Sequence, residues 1–414
     1  MMKARLARCC VVCCCLLVIL SGCSAPFANG QPTPTLTTSA APSPTPTPAL
    51  TTESDIARAL VAKMNLDEKL GQMVIVEFFG ATLNADLKQM IAGYHIGGVL
   101  IENGNGNVQS RAQLLALNHA MQGQATIPLF ISTDYEGHYT GTESTPLNEL
   151  RRIVSGPPSE PAIAQTGNPQ VAYNAGLSAA HDLTALGLNI DFMPIVDVLT
   201  NPNNPALSQR TFGSDPRLVT NMGRAYLQGL TAGGVIGSLK HFPGLGSATI
   251  DPHKSLPFMN RSLATMNSVD LVPYRTLIGE GIVPMVMVTH ILNEQLDPKL
   301  PTSLSSNVIT NLLRHQLGFR GVIICDTLWM GGISNTYTLA QAAVLTVQAG
   351  TNLLLGPRGL RDTEMMLAGL KQAVTSGRIP MEQIDTSVQL LLEMKLHYHL
   401  LSRAQALQLL AQGR

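Results

Sequence analysis

Short apolar, β-branched runs alternate with longer stretches of helical period along most of the chain. Eight runs have strand length: residues 71–76, 96–101, 128–133, 188–193, 235–240, 284–289, 321–325 and 352–355. Between them, residues 84–92, 110–122, 169–186, 218–232 and 339–349 repeat their apolar positions at the spacing of a helix face. Strands that are apolar throughout, separated by helices, are the mark of βα units around a parallel sheet covered on both faces. The count of eight predicts a (β/α)8 barrel, with a doubly wound open sheet as the structural alternative.

Polar residues follow these runs with some regularity. Glu102 follows the second and Asp134 the third, and Asp197 lies beyond the fourth. Lys240 and His241 close the fifth, His290 follows the sixth and Asp326 the seventh. One polar residue after a strand marks only its end. In a barrel, six at corresponding positions are expected to converge on one pocket at the C-terminal face.

The ends of the chain change what counts as folded protein. Lys3, Arg5 and Arg8 precede an apolar stretch, residues 9–20, that is short for a bilayer span. Leu20-Ser21-Gly22-Cys23 resembles a bacterial lipobox, so residues 1–22 are expected to be a lipoprotein signal peptide and Cys23 the acylated residue. An ordinary cleaved secretory signal is the alternative, and both readings put the protein outside the cytoplasm. Residues 23–52 are rich in Pro, Thr and Ser and nearly uncharged, which predicts an extended tether to the membrane. The folded domain is then expected over residues 53–414. Of seven cysteines, five leave with the signal and Cys23 carries lipid, so only Cys325 remains and no internal disulfide is available. The 27 basic and 27 acidic residues balance, and no Lys/Arg cluster appears, which argues against nucleic acid as a partner.

The segment richest in chemistry is Lys240-His241-Phe242-Pro243-Gly244-Leu245-Gly246, followed by Asp251-Pro252-His253. A strand end carries two polar side chains, and a Gly/Pro-rich loop then brings an Asp and a His two residues apart. A carboxylate beside a histidine stabilises its imidazolium and suits it to general acid work near neutral pH. Taken alone, an Asp-x-His is more often an incidental surface pair.

The wider sequence resembles the bacterial β-N-acetylhexosaminidases of glycoside hydrolase family 3. Lys-His-Phe-Pro-Gly-x-Gly with a downstream Asp-x-His is similar to that family's catalytic loop. Met64-Asn65-Leu66-Asp67-Glu68-Lys69-Leu70-Gly71-Gln72, Gly97-Gly98-Val99-Leu100-Ile101, Asn189 to Val198, Arg210 to Pro216 and Leu317 to Asp326 resemble other family elements in the same order. The resemblance implies Asp326 as nucleophile, His253 as acid/base and Asp251 as its partner. It implies Asp134, Arg210, Lys240 and His241 as groups that hold the sugar's hydroxyls. A retaining double displacement follows, on a carbohydrate substrate, by a monomer that needs no metal and no organic cofactor. Family members with a barrel-borne Asp-x-His are N-acetylhexosaminidases, so the resemblance implies N-acetylhexosamine as the glycone.

Several positions depart from the family pattern. His138 and Tyr139 follow Asp134-Tyr135-Glu136-Gly137, and Thr142 stands where a sugar-binding arginine falls in the family, with Arg151 and Arg152 as candidate replacements. Leu245 and Ser247 stand where the family's catalytic loop has a His and an Asp. Cys325 precedes the nucleophile position as a small buried residue. Trp329 is either a sugar-stacking ring or a core aromatic, and His290 either lines the pocket or caps its strand. The reading is an exo-β-N-acetylglucosaminidase acting on peptidoglycan or chitin fragments. A glycosidase of different glycone specificity and a catalytically impaired glycan-binding lipoprotein are the alternatives.

Overall fold

The computed structural model describes residues 50–137 and 148–412. The expected signal peptide, Cys23, most of the expected tether, His138 and Thr142 lie outside the described residues.

Eight parallel strands run β1 Val74–Glu77, β2 Gly98–Leu100, β3 Phe130–Thr133, β4 Ile190–Asp191, β5 Ile236–Phe242, β6 Met285–Val288, β7 Val322–Cys325 and β8 Leu354–Arg358. From β1 to β7 each pairs with its neighbour in chain order, and β8 pairs with β1 through Val74↔Leu354 and Ile75↔Leu355. The remaining seam, between β7 and β8, is closed by a parallel bridge from Ile324 to Leu353, with the Cys325 amide donating to the Leu353 carbonyl at 3.2 Å. The sheet is therefore a barrel and not the open alternative. Almost every strand residue is buried, because side chains face the barrel interior on one side and the helices on the other.

The helices lie where the periodicity placed them, with boundaries fixed by local chemistry. Asp215 caps the helix Pro216–Ala232, and Thr338 with Gln341 forms a capping box on Leu339–Ala349. The first strand starts later than residue 71. Asn65 and Glu68 form a capping box that starts a helix, Leu66–Gln72, and Gly71 and Gln72 belong to that helix. Gly71 is needed there, since a Cβ would meet the Tyr94 carbonyl oxygen at 2.0 Å.

The two ends of the barrel differ in kind. At the N-terminal end the helix Met381–His397 sends Lys395, fully buried, beneath the strands. Its Nζ donates to Gln72 Oε1 at 2.9 Å and to the Gly97 carbonyl at 3.1 Å, and lies 4.6 Å from the centre of the Phe130 ring. All three partners are neutral, so burial pulls the lysine pKa down to about 7. The C-terminal end collects carboxylates, histidines, Lys240 and arginines.

Candidate active site

The pocket at the C-terminal end is lined by Glu102, Asp134, Glu149, Arg210, Lys240, His241, His253, Asp326 and Trp329, with apolar walls from Leu100, Met287, Met330 and Leu355. Seven of the residues expected from sequence to carry chemistry are thus in one place, contributed by β2, β3, β5, β7 and the loops after β4 and β5.

Lys240 is 1% exposed and its Nζ donates to Asp134 Oδ1 at 2.6 Å and to Glu136 Oε1 at 3.0 Å. Arg210 forks onto the same Glu136, through Nε at 2.8 Å and Nη2 at 2.6 Å. Burial alone would raise Glu136, yet the two cations hold its carboxyl at about 2. Burial likewise opposes the positive charge of Lys240 and Arg210, and the carboxylates outweigh it, so both stay protonated. This fixed array of charges needs no rearrangement to meet a polyhydroxy ligand.

β5 gives two consecutive side chains to the pocket, which a regular strand does not do. Its register against β6 shifts between Leu239 and Phe242, and Lys240 and His241 sit inside that irregularity. Asp197, fully buried, holds the turn: it takes the His241 backbone N–H at 3.0 Å, pairs with His241 Nδ1 at 2.7 Å and accepts the Leu245 N–H at 2.6 Å. His241 Nε2 is left as the ring nitrogen not engaged by Asp197.

The Gly/Pro-rich loop then returns His253, whose Nδ1 pairs with Asp251 Oδ1 at 2.7 Å while its backbone N–H donates to the same oxygen at 3.0 Å. The Asp251 hydrogen bond, opposed by partial burial, raises the His253 pKa, and the Asp326 charge adds to the rise. Asp251 is lowered: burial works against it, but the bond to His253 prevails. This loop is docked on the one that follows Asp326. The Gly331 and Gly332 amides donate to the His253 and Pro252 carbonyls at 3.1 and 3.0 Å. A Cβ on Gly331 would meet the Lys254 carbonyl oxygen at 2.4 Å, so only glycine allows that approach.

Asp326 follows β7. Its Oδ1 accepts the Thr327 N–H at 2.8 Å and its Oδ2 the Thr289 hydroxyl at 3.3 Å. Burial would raise this carboxyl, but His290, His241 and His253 together bring it below its ordinary value. An ionised carboxylate and a histidine with a raised pKa, lining one pocket, can act as nucleophile and proton donor.

Two expected pocket residues stand one layer behind it. Asp197 serves His241, as described. His290 is buried, with Nδ1 at 2.7 Å from Ser303 Oγ and Nε2 at 3.0 Å from the Thr327 carbonyl. Burial lowers its pKa, and it fixes the loop carrying Asp326 without reaching the cavity. Arg151 and Arg152 are exposed and neither lines the pocket, so they do not supply the arginine that Thr142 lacks. Cys325 is buried and its thiol is pushed up to about 12, as suits an inert packing residue.

Sequence reasoning passed over three acids. Glu136 anchors both cations, and its place two residues past Asp134 was the available signal. Glu77 ends β1 in the same position that drew attention to Asp326 on β7. Glu149 follows a long segment without pattern, and nothing local marked it. Glu102, which was noticed, is raised to about 9 by burial and by the charge of Glu77, so it is a neutral acid at ordinary pH.

The family model for the glycosyl hydrolase family 3 N terminal domain matches residues 65–394. The chain belongs to glycosyl hydrolase family 3. Among curated relatives, beta-hexosaminidase A of Pseudoalteromonas piscicida is 32% identical over 336 residues, which are 76% of this chain and 55% of the relative. Beta-hexosaminidase LpqI of Mycobacterium tuberculosis (strain ATCC 25618 / H37Rv) is 34% identical over 335 residues, 79% of this chain and 82% of the relative. Among solved structures, a family 3 beta-N-acetylglucosaminidase from Paenibacillus sp. str. FPU-7 superposes with a TM-score of 0.75 at 32% identity, over 84% of this chain and 68% of that one. The M. tuberculosis LpqI structure gives 0.73 at 32% identity, over 82% and 96%. As a family 3 member, the chain is a glycoside hydrolase.

Proposed function

We propose that the protein is a retaining exo-β-N-acetylglucosaminidase, with Asp326 as nucleophile and His253 as acid/base. The observation that carries the reading is the Asp251–His253 pair docked, through two backbone hydrogen bonds, on the loop of Asp326. In this mechanism Asp326 attacks the anomeric carbon while His253 Nε2 protonates the leaving oxygen. Water then attacks the glycosyl–Asp326 ester with His253 as base, and the sugar leaves with its anomeric configuration retained. Asp251 orients the imidazole and supports its charge. Asp134, Lys240, Arg210 and His241 hold the sugar's hydroxyls, and Glu136 keeps the two cations in place.

The relatives named beta-hexosaminidase and beta-N-acetylglucosaminidase support the glycone, and the lipobox-like Leu20 to Cys23 supports an anchored, extracytoplasmic enzyme acting on peptidoglycan or chitin fragments. The test is turnover of aryl β-N-acetylglucosaminide against aryl β-glucoside. Activity on the N-acetyl substrate that vanishes in Asp326→Ala is the expected result. A preference for the glucoside would reassign the glycone, and sugar binding without turnover would make the protein a glycan-binding lipoprotein.

A further inference from the structure

The reaction as described uses the β3–β5 half of the rim and the loop of Asp326, and leaves the β8–β1 side without a role. On that side three flat groups are stacked. Trp329 lines the pocket, three residues past Asp326. The Arg358 guanidinium lies over its ring, 4.7 Å from the centre, and 5.5 Å from the centre of the Phe79 ring. The stack is held at its edge. Glu77, fully buried, accepts from the Trp329 indole N–H and pairs with Arg358 Nε at 3.1 Å, and Arg358 Nη2 donates to Asn105 Oδ1 at 3.3 Å.

The stack grades from pocket to solvent. Trp329 is partly buried, the Arg358 side chain is 38% exposed and Phe79 is 50% exposed. Phe79 thus leaves half of its side chain open to a ligand at the outer end of the group. Three of the six large apolar side chains exposed among the described residues, Phe79, Ile250 and Phe258, belong to segments that follow β1 and β5 at this end of the barrel. The pocket thus has a charged half suited to hydroxyls and an aromatic wall at Trp329, which Arg358 and Phe79 extend beyond the cavity.

We propose that Phe79, Arg358 and Trp329 form the leaving-group subsite, and that its ligand is the pyranose ring next to the cleaved bond in a β-linked glycan. The apolar C–H face of a pyranose stacks on an aromatic ring, and the guanidinium between the rings offers N–H groups to hydroxyl or carboxylate substituents at the ring edge. The glycone sits among Asp134, Lys240 and His241, so the sugar that departs follows the stack outward. This assignment rests on the N-acetylglucosaminidase reading.

The experiment compares two substrates on the full chain, in wild type, Phe79→Ala and Trp329→Ala. One is N,N′-diacetylchitobiose, whose leaving group is a sugar ring. The other is β-N-acetylglucosaminyl fluoride, whose leaving group is a single atom that cannot touch the stack. The ratio of kcat/KM for the disaccharide to that for the fluoride is expected to fall roughly fivefold in Phe79→Ala and further in Trp329→Ala, the scale of an aromatic contact. Any general damage to the nucleophile loop moves both substrates and cancels in the ratio. An unchanged ratio in both variants would overturn the subsite while leaving the glycosidase reading intact. Failure of the wild type on both compounds would overturn the N-acetylglucosaminidase reading and the subsite with it.

Discussion

Lys240 and Lys395 are both buried in the same barrel, one at each end, and their chemistry is opposite. Lys240 meets two carboxylates, and its positive charge is held more firmly than in water. Lys395 meets an amide, a carbonyl and a ring, and it gives up its proton near pH 7. Burial is common to both, so the difference lies in whether an anion shares the site. The C-terminal end invests its buried charge in a pre-set array for ligand, and the N-terminal end uses its lysine to tie a helix to the strand starts.

The contrast predicts separable losses. The largest is at Asp326: Asp326→Ala is expected to cut turnover of an aryl β-N-acetylglucosaminide by roughly 10⁴-fold or more, with the circular dichroism spectrum retained. Next is Lys240→Met, which leaves the carboxylates of Asp134 and Glu136 short of a cation. It should cost about 3 kcal/mol in urea unfolding as well as most of the activity. Lys395→Met, by comparison, replaces a poorly compensated charge with an apolar chain of similar length and should leave kcat/KM within about twofold. Equal damage from the two lysine variants would break the comparison.

Their pH dependence sharpens it. The folded pKa of Lys395, about 7, lies below that of an unfolded lysine, about 10.4. Between those values the unfolded chain binds more protons than the folded one, so wild-type stability rises with pH from about 7 to about 10 through this group, a gain absent from Lys395→Met. Unfolding midpoints of the two proteins at pH 6, 8 and 9.5 measure the difference.

At the active end, Asp251→Asn removes the main cause of the raised His253 pKa. The alkaline limb of the kcat/KM profile is therefore expected to move to lower pH. Among the pocket residues the smallest effect is expected at Glu102. Its carboxyl is already protonated near neutrality, so Glu102→Gln should keep activity within a few-fold, where Asp326→Asn should not.

The sequence made the scaffold legible because its signal is redundant. Each strand is a run of several residues, mostly apolar, and losing the first three positions of one, residues 71–73, shifts a boundary without changing the fold. The site is less redundant. Asp134, Lys240, His241, His253 and Asp326 were visible as polar residues after strands or in a patterned loop. Asp197 and His290 shared that pattern but face backbone groups and other side chains, since periodicity reports where a strand ends and not which way the next side chain turns. Glu136 and Glu149 act through partners far away in the chain: Arg210 is 74 residues from Glu136, and Asn103 is 46 from Glu149. Trp329 answers to neither alternative alone, being part of the pocket wall and stacked on Arg358.

The docking of the His253 loop on Gly331 and Gly332 gives the enzyme a built-in reporter. Those two amides find their acceptors only while the loop is seated, so their exchange with deuterated solvent proceeds through molecules in which it has lifted. A lifted loop carries His253 away from Asp326. The protection of two glycine amides therefore measures the fraction of molecules that hold His253 beside Asp326 at any moment, with no substrate in the tube.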